Sequence, residues 1–327
     1  KSFPVVNSYL VGFSGGADST ALLHAISKIR KRLSAPVSAV QINHGIHPDA
    51  DGWQRQCEDF CQQHGIDLEC LMVVLSNNAG KGLEAEARHL RYEAISGMLN
   101  KDGCLLTAHH ADDQAETLLL NLMRGSGVDC LTAMPESRPL DEGLLQRPLL
   151  NFRSSALRDY LRENNIEWTE DPSNKHLNHD RNFVRHQVIP LLEQRWPEVN
   201  QRLLLTLHAM TDARHLLEAL ADDYLRLNHP HTWVLKITPK CLSNPQLTKL
   251  VIRRWIKLSG TTGIPAYTLD TLCEQLQVTG SDHKVAVRWG NWSLHWYRSH
   301  LWLQEAQAVP PCPTAKWAKG TTDIDLG

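Results

Sequence analysis

Ser8-Tyr9-Leu10-Val11-Gly12-Phe13-Ser14-Gly15-Gly16-Ala17-Asp18-Ser19-Thr20-Ala21-Leu22-Leu23 is the stretch that decides the fold. Tyr9 to Phe13 is a short apolar run, as expected of a strand covered on both faces, and Ala21, Leu22, Leu23, Ala25 and Ile26 supply the apolar side of a helix. Between them, the paired glycines Gly15 and Gly16 allow positive φ and close approach of a ligand to the backbone. The hydroxyls of Ser14, Ser19 and Thr20 and the N–H groups of the helix start face one pocket, which suits a phosphate. Asp18 would repel a bare anion, and a divalent cation such as Mg²⁺ lying between them removes the conflict. The loop therefore implies a metal-bound nucleotide held by Ser14, Gly15, Gly16, Ala17, Asp18 and Ser19, with Asp18 on the metal. The competing account is a glycine turn at a strand-helix corner in which Asp18 caps the helix.

Outward from this loop, residues 8–150 alternate β-rich runs with amphipathic helical runs, the pattern of a doubly wound, mostly parallel α/β sheet. Strands are expected at 9–13, 37–42, 68–74 and 104–108, with a weakly indicated fifth near 144–147. Helices are expected at 151–165 and 180–195, and Pro197 opens a long one reaching about 227, read as a linker. After Asn228-His229-Pro230 the period changes to one strand, helices at 246–258 and 267–278, and strands containing Val285, Val287, Trp292, Leu294 and Leu301. The expected divisions are a catalytic domain at 1–195, a helical linker at 196–230, a smaller α+β domain at 231–308, and at 309–327 a tail or the opening of a further domain.

A second constellation follows the fourth strand: His109-His110-Ala111-Asp112-Asp113-Gln114-Ala115-Glu116-Thr117, leading into the apolar helix of Leu118, Leu119 and Leu120. Loops at the carboxyl ends of the strands of an open sheet line one crevice, so this run and the Ser14 loop can share a site. Asp113 and Glu116, three residues apart, lie on one face of a helix, suited to a second metal contact on Asp113 or to proton transfer. The plainer account has Asp112 capping the helix and the other acids solvated. His44, in Asn43-His44-Gly45-Ile46 after the second strand, stands at the same sheet edge, divided between a structural role and a nucleotide contact.

S-G-G-x-D-S resembles the loop of the N-type ATP pyrophosphatases, and lacks the lysine of the G-x-x-x-x-G-K-[ST] loop. Five further motifs stand in family order: N-H-G-I, E-A-R-x-x-R-Y from Glu86, A-H-H-A-D-D-Q-A-E-T, R-G-S-G from Arg124, and E-D-P-S-N from Glu170 with D-R-N-F-V-R from Asp180. Together they resemble the tRNA(Ile)-lysidine synthetases over most of residues 8–195. The resemblance implies a PP-loop fold and adenylation by ATP of the wobble cytidine of an isoleucine tRNA with a CAU anticodon. Free lysine then displaces AMP to leave lysidine. It further implies ATP contacts from Ser14 to Ser19 with Ile42, His44 and His109, metal contacts from Asp18 and Asp113, and a metal or proton-transfer role for Glu116. Arg88 would orient lysine or phosphate, and Arg124, Arg181 and Arg185 would approach RNA or developing charge. For Arg181 and Arg185 the alternative is pairing with Glu170 and Asp171. Longer members of the family carry a further C-terminal domain that begins where this chain ends.

The composition fits these expectations and excludes others. No run of about eighteen apolar residues and no signal pattern occurs, so a cytoplasmic protein without membrane contact is expected. The net charge of -2 gives no global attraction to RNA. Residues 232–306 nevertheless hold nine Lys or Arg against four Asp or Glu, and Arg253, Arg254 and Lys257 share one helix as candidate tRNA contacts. Trp289, Trp292, Trp296 and Trp302 are read as core of a small β-ribbon. The eight cysteines form no C-x-x-C pair and are read as mostly buried, which sets this chain apart from tRNA-thiolating relatives. A silent binding protein would have no need of Asp18, Asp113 and Glu116 beside phosphate. The oligomeric state is left open, a homodimer included.

Overall fold

Each apolar strand of the N-terminal half has side chains for two covered faces, and the computed structural model assembles them into one sheet with helices on both sides. It describes residues 3–43, 50–73, 83–170, 179–228, 232–261, 263–278 and 285–305. The chain divides into two compact units, Lys1–Asp212 and Ala213–Gly327.

In the first unit, β1 (Ser8–Gly12) leads into α1 (Ala17–Ile29), β2 (Val37–Asn43) into α2 (Ala50–His64), and β3 (Asp67–Met72) precedes α3 (Leu83–Ser96). Then come β4 (Gly103–Leu106), α4 (Ala111–Met123), the single turn α5 (Val128–Leu131), β5 (Ser137–Leu140), β6 (Gly143–Gln146) and α6 (Ser154–Glu163). The sheet order is β3-β2-β1-β4-β6-β5. All neighbours are parallel except β5, an antiparallel edge strand that the periodicity does not announce. Alternate residues of β1 enter different cores. Tyr9 and Val11 pack with Leu22, Cys57 and Leu161 from α1, α2 and α6, whereas Leu10 packs with Val40, Leu105 and Ile95 on the opposite face. β4 and β6 approach so closely that a Cβ on Gly143 would lie 2.6 Å from the Gly103 carbonyl oxygen.

The expected helix at 180–195 is broken into α7 (Asp180–Phe183), a π-helical turn (Val184–Val188) and α8 (Ile189–Arg195). The long helix α9 (Val199–Asn228) serves both units: Leu203 packs against Ala115, Val184 and Ile189, and Leu225 lies in the core of the second unit. That second core packs α11 (Pro245–Leu258) and α12 (Ala266–Val278), preceded by β7 (Val234–Lys236) and α10 (Pro239–Leu242), on a sheet completed by β8 (Val285–Trp289), β9 (Trp292–Tyr297) and β10 (His300–Glu305). Its order is β7-β10-β9-β8, antiparallel throughout. Trp289 and Trp296 are core, and Trp292 packs against it, but Trp302 is 44% exposed, which corrects its assignment to the interior. Among the described residues no helix is long and apolar enough to cross a membrane.

Candidate active site

The order β2-β1-β4 explains why two motifs far apart in sequence meet. β1 lies between β2 and β4, both parallel to it, and the chain leaves in opposite lateral directions at this point. A crevice opens outside the carboxyl ends of β1 and β4, where the Ser14 loop and the His109 loop emerge.

The Ser14 loop is held in shape by its own hydroxyls. Ser19 Oγ donates to the Gly16 carbonyl at 3.0 Å and accepts from the Ser14 N–H at 3.2 Å, and the Ser14 and Ser19 hydroxyls lie 3.1 Å apart. Gly15 has a φ of 78°, and a Cβ there would press on Cys57 Sγ at 3.0 Å. Its carbonyl accepts from the Thr169 N–H at 2.9 Å and the Thr20 hydroxyl at 3.2 Å. Gly16 is the N-cap of α1 and no side chain caps the helix, so Asp18 is not a cap and the first-turn N–H groups remain for a ligand. This cradle fits a phosphate.

Asp18 looks across the crevice to α4. Its Oδ1 accepts from the Ser154 hydroxyl at 3.2 Å, and its Oδ2 lies 3.4 Å from His110 Nε2, which is also 3.4 Å from Asp113 Oδ2. One buried imidazole thus stands between the two carboxylates proposed for the metal. His110, rather than Asp112, caps α4: with the imidazole neutral, its Nδ1 accepts from the Asp113 N–H at 3.4 Å, and in either charge state Asp113 Oδ2 accepts from the His110 N–H at 3.0 Å, a reciprocal capping box. Asp112 instead receives the Ser154 N–H at 2.7 Å and Arg153 Nε at 3.2 Å, anchoring the start of α6.

On the far side of Asp113 stand two arginines from the broken helix. Arg181 donates from Nε to Glu116 Oε2 at 2.8 Å and from a terminal nitrogen to Asp113 Oδ1 at 2.9 Å. Arg185 donates to Asp113 Oδ1 at 2.8 Å and to both oxygens of Glu116. The π-helical turn begins between them, and four-residue spacing sets both guanidinium groups on one face. Among the described residues their partners are Asp113 and Glu116, and no ion pair to Glu170 is among them; Asp171, the other acid of the alternative pairing, lies outside the described residues. The Glu116 side chain is 1% exposed, so these charges are neutralised in a largely dry setting.

The electrostatics follow from this packing. Burial works to raise the Asp113 pKa, but His110, Arg181, the His110 N–H and Arg185 outweigh it and hold the carboxyl below its ordinary 3.8. Burial likewise works to lower the His110 pKa, yet the hydrogen bond to Asp18 and the charges of Asp113, Asp18 and Asp112 hold it above 6.5. An imidazole raised in the fold contributes stability that is complete below pH 6.5 and is lost as pH rises through the folded value. Asp113 contributes in the opposite sense: its stability is present above pH 3.8 and is lost as pH falls through the lowered value. The melting temperature is thus expected to decline as pH rises above 6.5 through the raised folded value, and His110→Gln is expected to flatten that decline. Parallel profiles for wild type and variant in thermal unfolding would exclude a charged His110.

A divalent cation fits the chemistry of Asp18, whose side chain is 35% exposed and which, among the described residues, accepts from one hydroxyl and faces one imidazole. Asp113 would first have to be released by its arginines. Of the other candidates, Ile42 is the half-buried penultimate residue of β2, and His109 shares a 2.9 Å hydrogen bond with Thr107. Arg124 is the exposed C-cap of α4. His44 lies outside the described residues, as does the side chain of Arg88 on α3.

The basic helix α11 is not the open patch its sequence suggests. Arg254 gives both Asp222 oxygens a 2.7 Å hydrogen bond and is 3.4 Å from Glu218, and Lys257 is 2.7 Å from Glu218. Arg253 is exposed on the same helix. The cysteines are mostly buried as expected, Cys130 being the exposed exception among those described. Burial, with neighbouring thiols, pushes Cys57 and Cys61 up to about 12, so both are inert neutral thiols.

The sequence reading passes over His110 and Ser154. A polar residue three positions before Asp113 at a helix start is a capping-box signal that could have found His110. Nothing local marks Ser154, which meets Asp18 across 136 positions of chain.

A parallel sheet carrying a glycine-serine phosphate cradle at its switch point defines an ATP-using enzyme of the PP-loop class, and residues 4–192 match the PP-loop domain family. Residues 244–302 match the TilS substrate binding domain. The chain is 38% identical over 307 residues to the tRNA(Ile)-lysidine synthase of Alkalilimnicola ehrlichii, covering 94% of this chain and 69% of that protein. The enzyme of the same name from Methylococcus capsulatus is 36% identical over 330 residues, covering 98% and 73%. The chain belongs to the tRNA(Ile)-lysidine synthase family. Its fold is also that of the U34-tRNA thiolase NcsA from Methanococcus maripaludis, at a TM-score of 0.54 and 15% identity over 64% of this chain and 74% of that one.

Proposed function

We propose that this chain converts the wobble cytidine of an isoleucine tRNA with a CAU anticodon to lysidine, consuming ATP with Mg²⁺ and free lysine. The observation that carries this is the convergence of Asp18, His110 and Asp113 at the mouth of the phosphate cradle, with Glu116 one helical turn beyond. Catalysis belongs to residues 1–195, the helix at 196–230 links them to the tRNA-contacting residues 231–308, and the reaction runs in the cytoplasm.

The backbone of Ser14 to Ser19 receives the ATP phosphates, with Ile42, His44 and His109 toward the nucleoside. Asp18 would hold Mg²⁺, which supplies charge neutralisation at the phosphates when bound. In the first step O2 of the cytidine attacks the α-phosphorus and pyrophosphate leaves. In the second, the ε-amine of lysine attacks C2, AMP leaves, and a carboxylate takes the surplus proton. Glu116 and Asp113 serve the second step. Their arginines occupy both until an ammonium group competes for them, and a carboxylate so freed accepts the proton that makes lysine a nucleophile. Arg181 and Arg185, displaced, face the developing phosphate charge, while Arg88 orients lysine or phosphate and Arg124 the RNA backbone.

The test is incorporation of radiolabelled lysine into unmodified isoleucine tRNA in the presence of ATP and Mg²⁺, with AMP measured in parallel. Label in RNA with one AMP per lysine is expected. AMP release without lysine transfer, or no reaction with tRNA, ATP and lysine all present, would overturn the proposal.

A further inference from the structure

The sheet of the second unit is covered by helices on one face. Leu235, Leu301, Leu294 and Val287 point into the core with α11 and α12, and the alternate residues point away from it. Strand register aligns those outward residues into rows. Trp302 is beside His295, Lys236 is beside His300, which is beside Tyr297, and Arg288 is beside Ser293. Two rings on this face are open: Trp302 is 44% exposed and Tyr297 40%. At the tip of the β9-β10 hairpin, Arg298 has a φ of 46° and sets its guanidinium 5.1 Å from the Tyr297 ring centroid.

The charge on this face has one sign. None of the residues named on it is acidic, and among the described residues no carboxylate pairs with Lys236, Arg288 or Arg298. That is the reverse of α11, where Glu218 and Asp222 neutralise Arg254 and Lys257. Exposed rings set among unneutralised cations match a polyanion that carries flat apolar groups. A protein partner would call for a continuous apolar patch, whereas this face interleaves its rings with the half-buried His295 and His300.

We infer that the outer face of this second sheet is a stacking platform for unpaired RNA nucleotides, in which Trp302 and Tyr297 receive bases and Lys236, Arg288 and Arg298 receive phosphates. The assignment rests on the proposed tRNA substrate and moves its contact surface from the basic helix to the open sheet. Stacking of this kind tolerates any base, so the platform adds affinity and leaves sequence discrimination to the catalytic unit.

The test titrates unmodified isoleucine tRNA into the full chain at several salt concentrations and follows fluorescence anisotropy. Trp302→Ala is expected to weaken binding about fivefold to 100-fold, with Trp302→Phe restoring most of it. Lys236→Gln with Arg288→Gln is expected to lower the slope of log K against log salt by about 0.7–0.9 per side chain, a change that loss of structure alone does not predict. Circular dichroism and melting temperature establish that each variant is folded; should Trp302→Ala fail to fold, the salt slope of the charge variant decides. Wild-type binding with both variants unchanged would overturn the platform, leave the tRNA reading standing and free the face for a protein partner. Absence of tRNA binding by the wild type would overturn both.

Discussion

Asp18→Asn is expected to lower AMP formation by about 10³-fold while tRNA binding stays within about twofold. The substitution keeps size and shape, and an asparagine oxygen can still accept the Ser154 hydroxyl that Asp18 accepts at 3.2 Å. What disappears is the negative charge in the first turn of α1, together with its attraction for a divalent cation. At a pH where His110 is neutral the structural cost is small, about 0.3–1 kcal/mol for a charge at a helix N-terminus; at lower pH the charged contact with His110 at 3.4 Å is lost as well. Rate and stability should therefore separate: a near-normal melting temperature beside a collapsed rate of pyrophosphate and AMP release. Turnover at the wild-type rate would remove Asp18 from the mechanism.

Arg185→Ala should destabilise the first unit by about 3 kcal/mol. Glu116 is 1% exposed at its side chain, and Arg185 hydrogen-bonds to both of its oxygens and to Asp113. Breaking a buried ion pair from one side costs about 3–5 kcal/mol, because the abandoned charge stays in a poor dielectric. Arg181 still faces both acids, so the lower end of that range is expected. Removing charge from both sides, with Arg185→Ala and Glu116→Gln together, should recover part of the loss, since the buried charge that Arg185 paired is then gone as well. Denaturant unfolding of the two singles and the double measures the coupling. Independent, additive losses would show that the pair does not interact as described.

How much of the site was legible follows from which contacts are local. The strand-turn-helix around Gly15 and the acids of α4 were readable because phosphate cradles and helical faces are set by spacing within a dozen residues. That the two would meet was also readable, from the rule that strand ends share a crevice. The partners of the arginines were not. Arg181 lies closer in sequence to Glu170 than to Glu116, and only the docking of α7 and the π-helical turn against α4 selects the latter. The same holds for the cations of α11, whose neutralising acids lie on α9.

The second unit shows the same division. Its alternation of apolar and polar residues was plain, but four tryptophans look alike in sequence. Trp289 and Trp296 fall on the inner parity of their strands and Trp302 on the outer, and register with neighbouring strands fixes which ring meets solvent. By itself, then, the sequence determined the class of fold, the phosphate cradle and the acidic helix start, because short-range backbone conformation and side-chain periodicity encode them. Only the tertiary structure decided which charges neutralise one another and which aromatic rings remain open, because those depend on contacts between residues that chain order keeps far apart.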